Sequence, residues 1–244
     1  MGIKKTLLAG LIGLGLFIPS MSFAGEILQG AVIYQYGSSN EATIEQDNPY
    51  NYGNIYQDST DYETGNTATI TQTGGAEEAI NDAHIVQIGT GNTASIDQSG
   101  DSNDAYITQV GSENDASIDQ SGDGNIASIT QGSEEYTATG NTASIDQSGN
   151  DNEAYIIQYG PGNDATISQP GNSNYASIYQ DSRGYETGNT ASITQNTDEN
   201  DAYIVQYGSE NTATITQGAE PAYGGYYAYI YQSGTGNIAT ITQK

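Results

Sequence analysis

The sequence predicts an all-β protein, a two-sheet parallel β-solenoid of the cross-β type with nine coils of two strands each. Three observations predict this fold. A short repeat recurs along nearly the whole chain, an uncharged residue stands at every second position of each repeat, and two kinds of repeat alternate strictly.

The repeat reads Asn-x-Ala-x-Ile-x-Gln and occurs 18 times between Gln29 and Gln243. The Ile and the Gln are present in all 18 copies, the Ala in 17 and the Asn in 16. Copies usually begin 11 residues apart, which leaves seven residues for a strand and four for a turn, often with Gly. Repeats of this length are typical of solenoids, in which each unit buries its apolar face against its neighbours.

Asn, Ala, Ile and Gln occupy alternate positions, so they point to the same face of an extended strand. None of these positions carries a charge, whereas the intervening positions hold most of the charge and variation. An uncharged and nearly invariant row predicts the buried face. The predicted core includes Ile44, Ile96, Ile118, Ile145, Ile215 and Ile241.

Polar residues in a buried row need hydrogen-bond partners. In a parallel stack with a coil spacing of about 4.8 Å, identical amides of successive coils can bond to one another. We therefore expect stacking ladders that also serve assembly, and their members include Asn40, Gln46, Asn92, Gln98, Asn114, Gln120, Asn141, Gln147, Asn211, Gln217, Asn237 and Gln243.

The outward position after Ala gives the number of strands per coil. In alternate copies it is always a small hydroxylated residue: Thr43, Thr69, Ser95, Ser117, Ser144, Thr166, Ser192, Thr214 and Thr240. In the other copies it varies, with Val32, His84 and Tyr106 among its members. Two alternating strand types indicate two strands per coil, and 18 strands then form nine coils.

Five turns are longer than the rest, and we expect them to be surface excursions that leave the register of the coils intact. They span Asp58–Gly65, Thr73–Ile80, Gly132–Gly140, Asp181–Gly188 and Gly218–Gly225.

The first 24 residues have the composition of a secretory signal peptide. Lys4 and Lys5 precede an apolar run from Leu7 to Ile18, and cleavage is expected after Ala24. The apolar run is too short for a membrane span, and no membrane insertion is expected elsewhere. The domain organisation is then a signal peptide at 1–24 and a single β-solenoid at 25–244, with its strand repeats at 29–243.

Charge and cysteine content narrow the function further. Without the signal peptide, two basic residues stand against 30 acidic ones, a formal charge of −28. This charge disfavours binding to nucleic acid or to anionic lipid. The chain has no cysteine, so disulfides cannot stabilise it outside the cell.

No catalytic or cofactor-binding constellation is visible in the sequence. A single His and no Cys exclude the usual nucleophilic triads and zinc sites. Asp97, Asp119 and Asp146 fall at equivalent outward positions of successive coils. Oxygen ligands of this kind could attract calcium, but a solvated acidic face is the preferred interpretation. We expect no enzyme activity, no cofactor and no metal.

Strand repeats begin soon after the predicted cleavage site and continue to Gln243, without an evident capping element. Terminal coils of a solenoid expose unpaired backbone groups. We therefore expect both ends to act as templates for head-to-tail stacking of the chain with itself.

The segment from Gln87 to Gln98 resembles the curlin repeat, Gln-x-Gly-x-x-Asn-x-Ala-x-x-x-Gln, and the match recurs along the chain. The resemblance implies a curli-type amyloid fibre at the surface of a Gram-negative bacterium, with roles in biofilm matrix, adhesion and aggregation. It also implies two partners, an outer-membrane secretion pore and a nucleator subunit. The Gly-rich leader of the major curlin is absent, and the frequent Asn at strand starts is closer to the nucleator, so a nucleator role is an alternative.

An ice-binding β-solenoid is a further alternative. Thr-x-Thr-x-Thr strands at Thr67–Thr71 and Thr212–Thr216 would lie on one flat face, as in ice-binding solenoids. Asp interrupts this array in three middle coils, which favours the fibre subunit.

Overall fold

A computed structural model of the chain describes residues 30–48, 50–60, 64–75, 79–132, 138–218 and 225–244. The predicted signal peptide and its cleavage site at Ala24 lie outside these residues. The described residues form strands and no helix, so none of them provides a helix that could cross a membrane. The strands are β1 (Gly30–Gly37), β2 (Glu41–Gln46), β3 (Asn51–Ser59), β4 (Thr67–Thr73), β5 (Asn81–Thr90), β6 (Thr93–Ser99), β7 (Asp104–Ser112), β8 (Asp115–Gln120), β9 (Ile126–Gln131), β10 (Ala138–Thr139), β11 (Thr142–Gln147), β12 (Glu153–Tyr159), β13 (Asp164–Gln169), β14 (Tyr175–Asp181), β15 (Thr190–Gln195), β16 (Asp201–Ser209), β17 (Thr212–Gln217), β18 (Tyr227–Thr235) and β19 (Ile238–Gln243).

Successive strands alternate between two parallel sheets, which confirms the predicted two-sheet β-solenoid. Sheet A has the order β1-β3-β5-β7-β9-β12-β14-β16-β18, and sheet B has the order β2-β4-β6-β8-β11-β13-β15-β17-β19. Within the described residues each order contains nine strands joined by eight parallel pairings, and the two-residue β10 pairs with the end of β7.

Equivalent residues of the repeat lie opposite one another in every pairing. Ile215 of β17 is in register with Ile241 of β19. Ile55 of β3 is in register with Ile85 of β5, although a long turn makes that coil 30 residues long. The long turns therefore leave the register intact, and only Asp181–Gly188 lies wholly within the described residues.

The core is the narrow space between the two sheets. Ala and Ile fill it, and the isoleucines at the repeat position, from Ile55 to Ile215, are at most 2% exposed. Burying one such side chain contributes about 1.5–3 kcal/mol. Because the outward positions alternate with these, interior strands such as β5 and β12 show the period-two burial pattern of a half-buried strand.

A left-handed residue directly before the Asn makes most corners of the solenoid. Gly takes this position at Gly91, Gly124, Gly140, Gly162 and Gly236, with φ between 63° and 70°. Ser, Asp or Glu takes it at seven other corners, with φ between 54° and 60°: Ser39, Ser102, Glu113, Asp151, Ser173, Glu199 and Glu210. The sequence predicted turns that often carry Gly, but it did not predict a left-handed Ser, Asp or Glu at these seven positions.

Candidate functional site

The two inner walls of the solenoid carry continuous glutamine ladders. In sheet A, Nε2 of each Gln donates to Oε1 of the Gln one coil later, from Gln35 to Gln232, at 2.8–3.0 Å. Sheet B repeats this from Gln46 to Gln243 at 2.7–3.0 Å. All steps of both ladders point in the same direction along the stack.

Backbone carbonyls of the facing strand fix this direction. Nε2 of Gln57, for example, also donates to the carbonyl oxygens of Glu41 and Asn66, both at 3.0 Å. Since a carbonyl oxygen can only accept, the nitrogen side of each amide must face it. From Gln46 onward, each glutamine thus ties together its own sheet and the opposite one.

Asparagine ladders at the corners run in the opposite direction. The backbone N–H of Asn92 donates to Oδ1 of Asn66 at 3.1 Å, and Nδ2 of Asn92 donates to the same atom at 2.9 Å. The backbone N–H can only donate, so it fixes the orientation of the accepting amide. Several of these side chains also close their own corner, as Asn237 does by donating to the carbonyl of Ser233 at 3.2 Å.

The structure divides the residues singled out in the sequence into an interior set and an end set. The interior set is buried: Asn92, Gln98, Asn114, Gln120, Asn141, Gln147, Asn211, Gln217, Ile96, Ile118, Ile145 and Ile215. The end set lies in the terminal coils and is only partly covered or exposed: Asn40, Ile44, Gln46, Asn237, Ile241 and Gln243. Residues of both sets contact a neighbouring coil on one side. On the other side a second coil covers the interior set, and no described coil covers the end set.

Within the described residues, β1, β2, β18 and β19 each have a strand neighbour on one side only. Ile33 of β1 is 43% exposed, whereas its neighbour in register, Ile55, is fully buried. Oδ1 of Asn237 has no hydrogen-bond donor among the described residues, although its equivalent in Asn211 accepts two bonds from Asn237. The end faces are therefore copies of the interior layers with one partner layer absent from the described chain.

The outer face of sheet A carries two rows of tyrosine rings, which the sequence pattern did not predict. One row contains Tyr155, Tyr175, Tyr203 and Tyr227, and the other contains Tyr159, Tyr179, Tyr207 and Tyr231. Consecutive ring centroids in these rows are 5.2–5.9 Å apart. Burial, with smaller effects of nearby acidic groups, raises the pKa of Tyr155 and Tyr179 to about 12, so both hydroxyls stay neutral at physiological pH.

The outer face of sheet B carries hydroxyls and carboxylates. Asp97, Asp119 and Asp146 lie in register on neighbouring strands. Partial burial and then the charges of Asp97 and Asp146 raise the pKa of Asp119. Among the described residues, no group of three or more His, Cys, Asp and Glu side chains has the arrangement of a metal site.

His84 lies on the outer face of sheet A and belongs to a small stacked cluster. Its ring stacks on Tyr106 with the centroids 5.2 Å apart, and its Nε2 lies 2.7 Å from Oδ1 of Asp82. Asp104 follows Asp82 in register on the next strand. Burial and then the charge of Asp82 raise the pKa of Asp104 to about 6, while His84 opposes this shift.

Comparison with known proteins identifies the family to which this repeat belongs. No curated protein sequence matches the chain. The profile of the curlin associated repeat matches residues 81–111, 105–132, 138–171, 160–184 and 187–218, which together are more than half of the chain. These segments contain the central part of the amide ladders and of the parallel pairings described above, and the chain therefore belongs to the curlin-repeat family.

Proposed function

We propose that the chain is a secreted structural subunit that stacks head to tail into an extracellular amyloid fibre. Curlin repeats on a β-solenoid fit a curli-like structural subunit, and the family is one of fibre subunits rather than enzymes. In this proposal residues 1–24 direct export and are removed after Ala24, and residues 25–244 form one solenoid. The fibre would serve biofilm matrix, adhesion and aggregation at the surface of a Gram-negative cell.

The observation that carries the proposal is the match between the two end faces. A second copy placed one coil beyond β18 and β19 would set its Ile33 against Ile230 and its Ile44 against Ile241. Both pairs repeat the register found at every interior step. Burial of the exposed end isoleucines and completion of the parallel ladders would favour this contact.

The amide ladders give the contact hydrogen bonds as well as packing. Nε2 of Gln243 donates to the carbonyl of Tyr227 and has no further acceptor among the described residues. Interior equivalents such as Gln217 donate in addition to the Gln of the next coil, at 2.9 Å. A stacked copy would supply this acceptor and would donate to Oδ1 of Asn237. The ladder residues at the ends are therefore proposed as the assembly site.

Seeded assembly of the purified protein tests the proposal. We expect fibres with a cross-β diffraction pattern near 4.7–4.8 Å, and we expect sonicated fibres to shorten the lag. Ile241→Asp should block growth, because stacking would bury an unpaired carboxylate. Thr194→Asp makes a similar charge change on the outer face of an interior strand and should assemble normally. A lag unchanged by seeds, or a lasting monomer, would refute the proposal.

Export and nucleation require partners. We propose passage through an outer-membrane pore and growth from a nucleator subunit of the same family, as family membership suggests. The alternative role, as the nucleator itself, predicts that substoichiometric amounts of this chain shorten the lag of a separate major subunit. Slow assembly of this chain alone, combined with that effect, would favour the nucleator role.

One observation favours ice binding as a second candidate. The outward position after Ala is Thr or Ser on all nine strands of sheet B, which aligns hydroxyls in one column along the stack. The aspartates in the neighbouring column interrupt the flat array. If micromolar concentrations of monomer arrest the growth of ice, ice binding would be favoured over the fibre proposal.

A further inference from the structure

Most of the exposed strand tyrosines of sheet A lie at the two ends of the stack, and among the described residues the exception is Tyr207 on β16, which is 39% exposed. Tyr34 and Tyr36 on β1 are 37% and 51% exposed, and Tyr227, Tyr229 and Tyr231 on β18 are 48–62% exposed. Interior tyrosines of the same face, such as Tyr179, are covered further by rings on the coils before and after them. The end rings therefore lack the cover that the interior rings have.

We propose that these end rings form an aromatic seam between successive copies, with Tyr231 of one copy packed against Tyr36 of the next. The inference rests on the proposed head-to-tail fibre and specifies its junction. The occupant of the exposed aromatic surface is thus a second copy of this chain, docked so that Ile230 lies next to Ile33.

The first argument is the continuity of the tyrosine row across the junction. Tyr159 and Tyr207 directly follow the Gln of their repeat, whereas Tyr179 and Tyr231 directly follow the Ile. The row alternates between these two positions, so the next ring belongs after the Gln of the following coil. In the stacked copy Tyr36 occupies that position, directly after Gln35.

The second argument is that the chain already contains both kinds of step that the seam needs. The step from Tyr179 to Tyr207 has the same repeat positions as the proposed step from Tyr231 to Tyr36, and its ring centroids are 5.5 Å apart. The row then continues from Tyr36 to Tyr56 within the second copy, at 5.7 Å. Two short rows at opposite ends of the chain become one row in the fibre.

The charges at the two ends agree with this docking. Glu41, Glu45 and Asp47 lie on or next to the first strand of sheet B. Lys244 directly follows the last strand of that sheet, and in the stacked register it faces Asp47 of the next copy. Opposite charges therefore meet at the junction of a strongly acidic protein.

A double-mutant cycle on assembly tests the seam. The measured quantity is the monomer concentration that remains in solution once assembly of the purified chain has reached its plateau, at a fixed urea concentration. Tyr36→Ala and Tyr231→Ala should each raise this concentration about two- to tenfold, the range of an aromatic pair. The double variant should raise it no more than the larger single effect, because both changes remove the same contact.

Matched variants separate the seam from general effects on folding. Tyr185→Ala removes a ring that is 45% exposed in a long turn, and it should leave the residual monomer concentration unchanged. Tyr36→Phe keeps the ring and should behave like the wild type. Combined with Tyr231→Ala, the Tyr185→Ala change should have no further effect.

The outcomes distinguish the seam from the fibre itself. Suppose that wild-type fibres grow from seeds but that the effects of Tyr36→Ala and Tyr231→Ala on the residual monomer concentration multiply, or that neither change has an effect. Either result would overturn the seam and leave the proposed function standing. Absence of templated growth in the wild type would overturn both.

Discussion

The corner residues before the asparagines show how single side chains set the path of the chain. Glu113 and Asp151 hold left-handed backbone angles that ordinarily favour glycine, with φ of 56° and 54°. This conformation costs roughly 1–2 kcal/mol for a residue with a Cβ. The asparagine that follows offsets part of this cost, since its side-chain amide and backbone N–H both donate to the ladder asparagine of the preceding coil.

Two substitutions at equivalent corners isolate this cost. Gly140→Ala should lower the free energy of unfolding by about 1 kcal/mol, because an added Cβ meets no atom within 4 Å and only φ is strained. Glu113→Gly should raise it by about 0.5 kcal/mol, since relief of strain is partly offset by the greater freedom of the unfolded chain. Urea unfolding measures both. Equal stability of Gly140→Ala and the wild type would contradict the account.

Asp104 gives a pH dependence whose sign follows from its surroundings. Burial and the charge of Asp82 raise its folded-state pKa from 3.8 to about 6, so the folded state binds the proton more tightly than the unfolded state. The contribution of Asp104 to stability therefore increases as the pH falls from about 7 to about 4.

Asp104→Asn should remove this part of the pH dependence. It should also raise stability at pH 7 by about 1 kcal/mol, allowing for solvent screening of a partly exposed group. Thermal unfolding at pH 7 and pH 4.5 measures the change, and Ser128→Asn on the same face is the control for an added amide. If the stability of Asp104→Asn varies with pH as the wild type does, Asp104 is not the source of this pH dependence. His84, Asp82 and Tyr106 face the same carboxylate.

At the scale of the strand, the amide ladders make interior and end strands unequal in energy. Gln131 of β9 accepts from Gln109 and donates to Gln158 and to the carbonyls of Asp115 and Asn141. Among the described residues, Gln243 of β19 bonds only to Gln217 and to the carbonyl of Tyr227. A buried polar group left without a partner costs about 1–3 kcal/mol.

Gln131→Met keeps the size of the side chain and should destabilise the fold by about 3–5 kcal/mol, because several buried partners lose their bonds. Gln243→Met should cost about 1 kcal/mol or less, since its partners reach water. Urea unfolding of the two variants at one protein concentration measures the difference. Similar losses would show that the ladder contributes little beyond side-chain packing.

The strands and their register could be predicted because every repeat contains the residues that determine its inward face and its sheet. An Ile with a Gln two residues later fixes the inward face, and the alternating hydroxyl position assigns each strand to its sheet. The left-handed angles of Glu113 and Glu210 could not be predicted, because the glycine of each turn lies two residues earlier, at Gly111 and Gly208. The Asn that follows each Glu was assigned only to the ladder. The tyrosine rows join rings at non-equivalent repeat positions on adjacent coils, such as Tyr179 and Tyr207. The pattern within one strand does not predict contacts between such diagonal neighbours.

At the scale of the whole molecule, the formal charge of −28 that remains once residues 1–24 are removed opposes the stacking of copies. Asp97, Asp119 and Asp146 repeat this repulsion from coil to coil on one face. Against it, the junction offers a facing pair of Lys244 and Asp47, and an exposed ion pair contributes only about 0–1 kcal/mol. Long-range repulsion should therefore dominate the salt dependence of assembly.

We expect the rate of seeded growth to rise as NaCl increases from about 10 mM to about 150 mM, because the Debye length falls from about 30 Å to about 8 Å. Growth on a fixed number of seeds, followed by the loss of soluble monomer, measures this rate. Sucrose at the same osmolality is the control for excluded-solute effects, which act without screening charge. A rate that falls with salt would mean that attraction at the junction outweighs repulsion between the acidic faces. Lys244→Glu removes the attractive pair, so in that variant the acceleration by salt should become steeper.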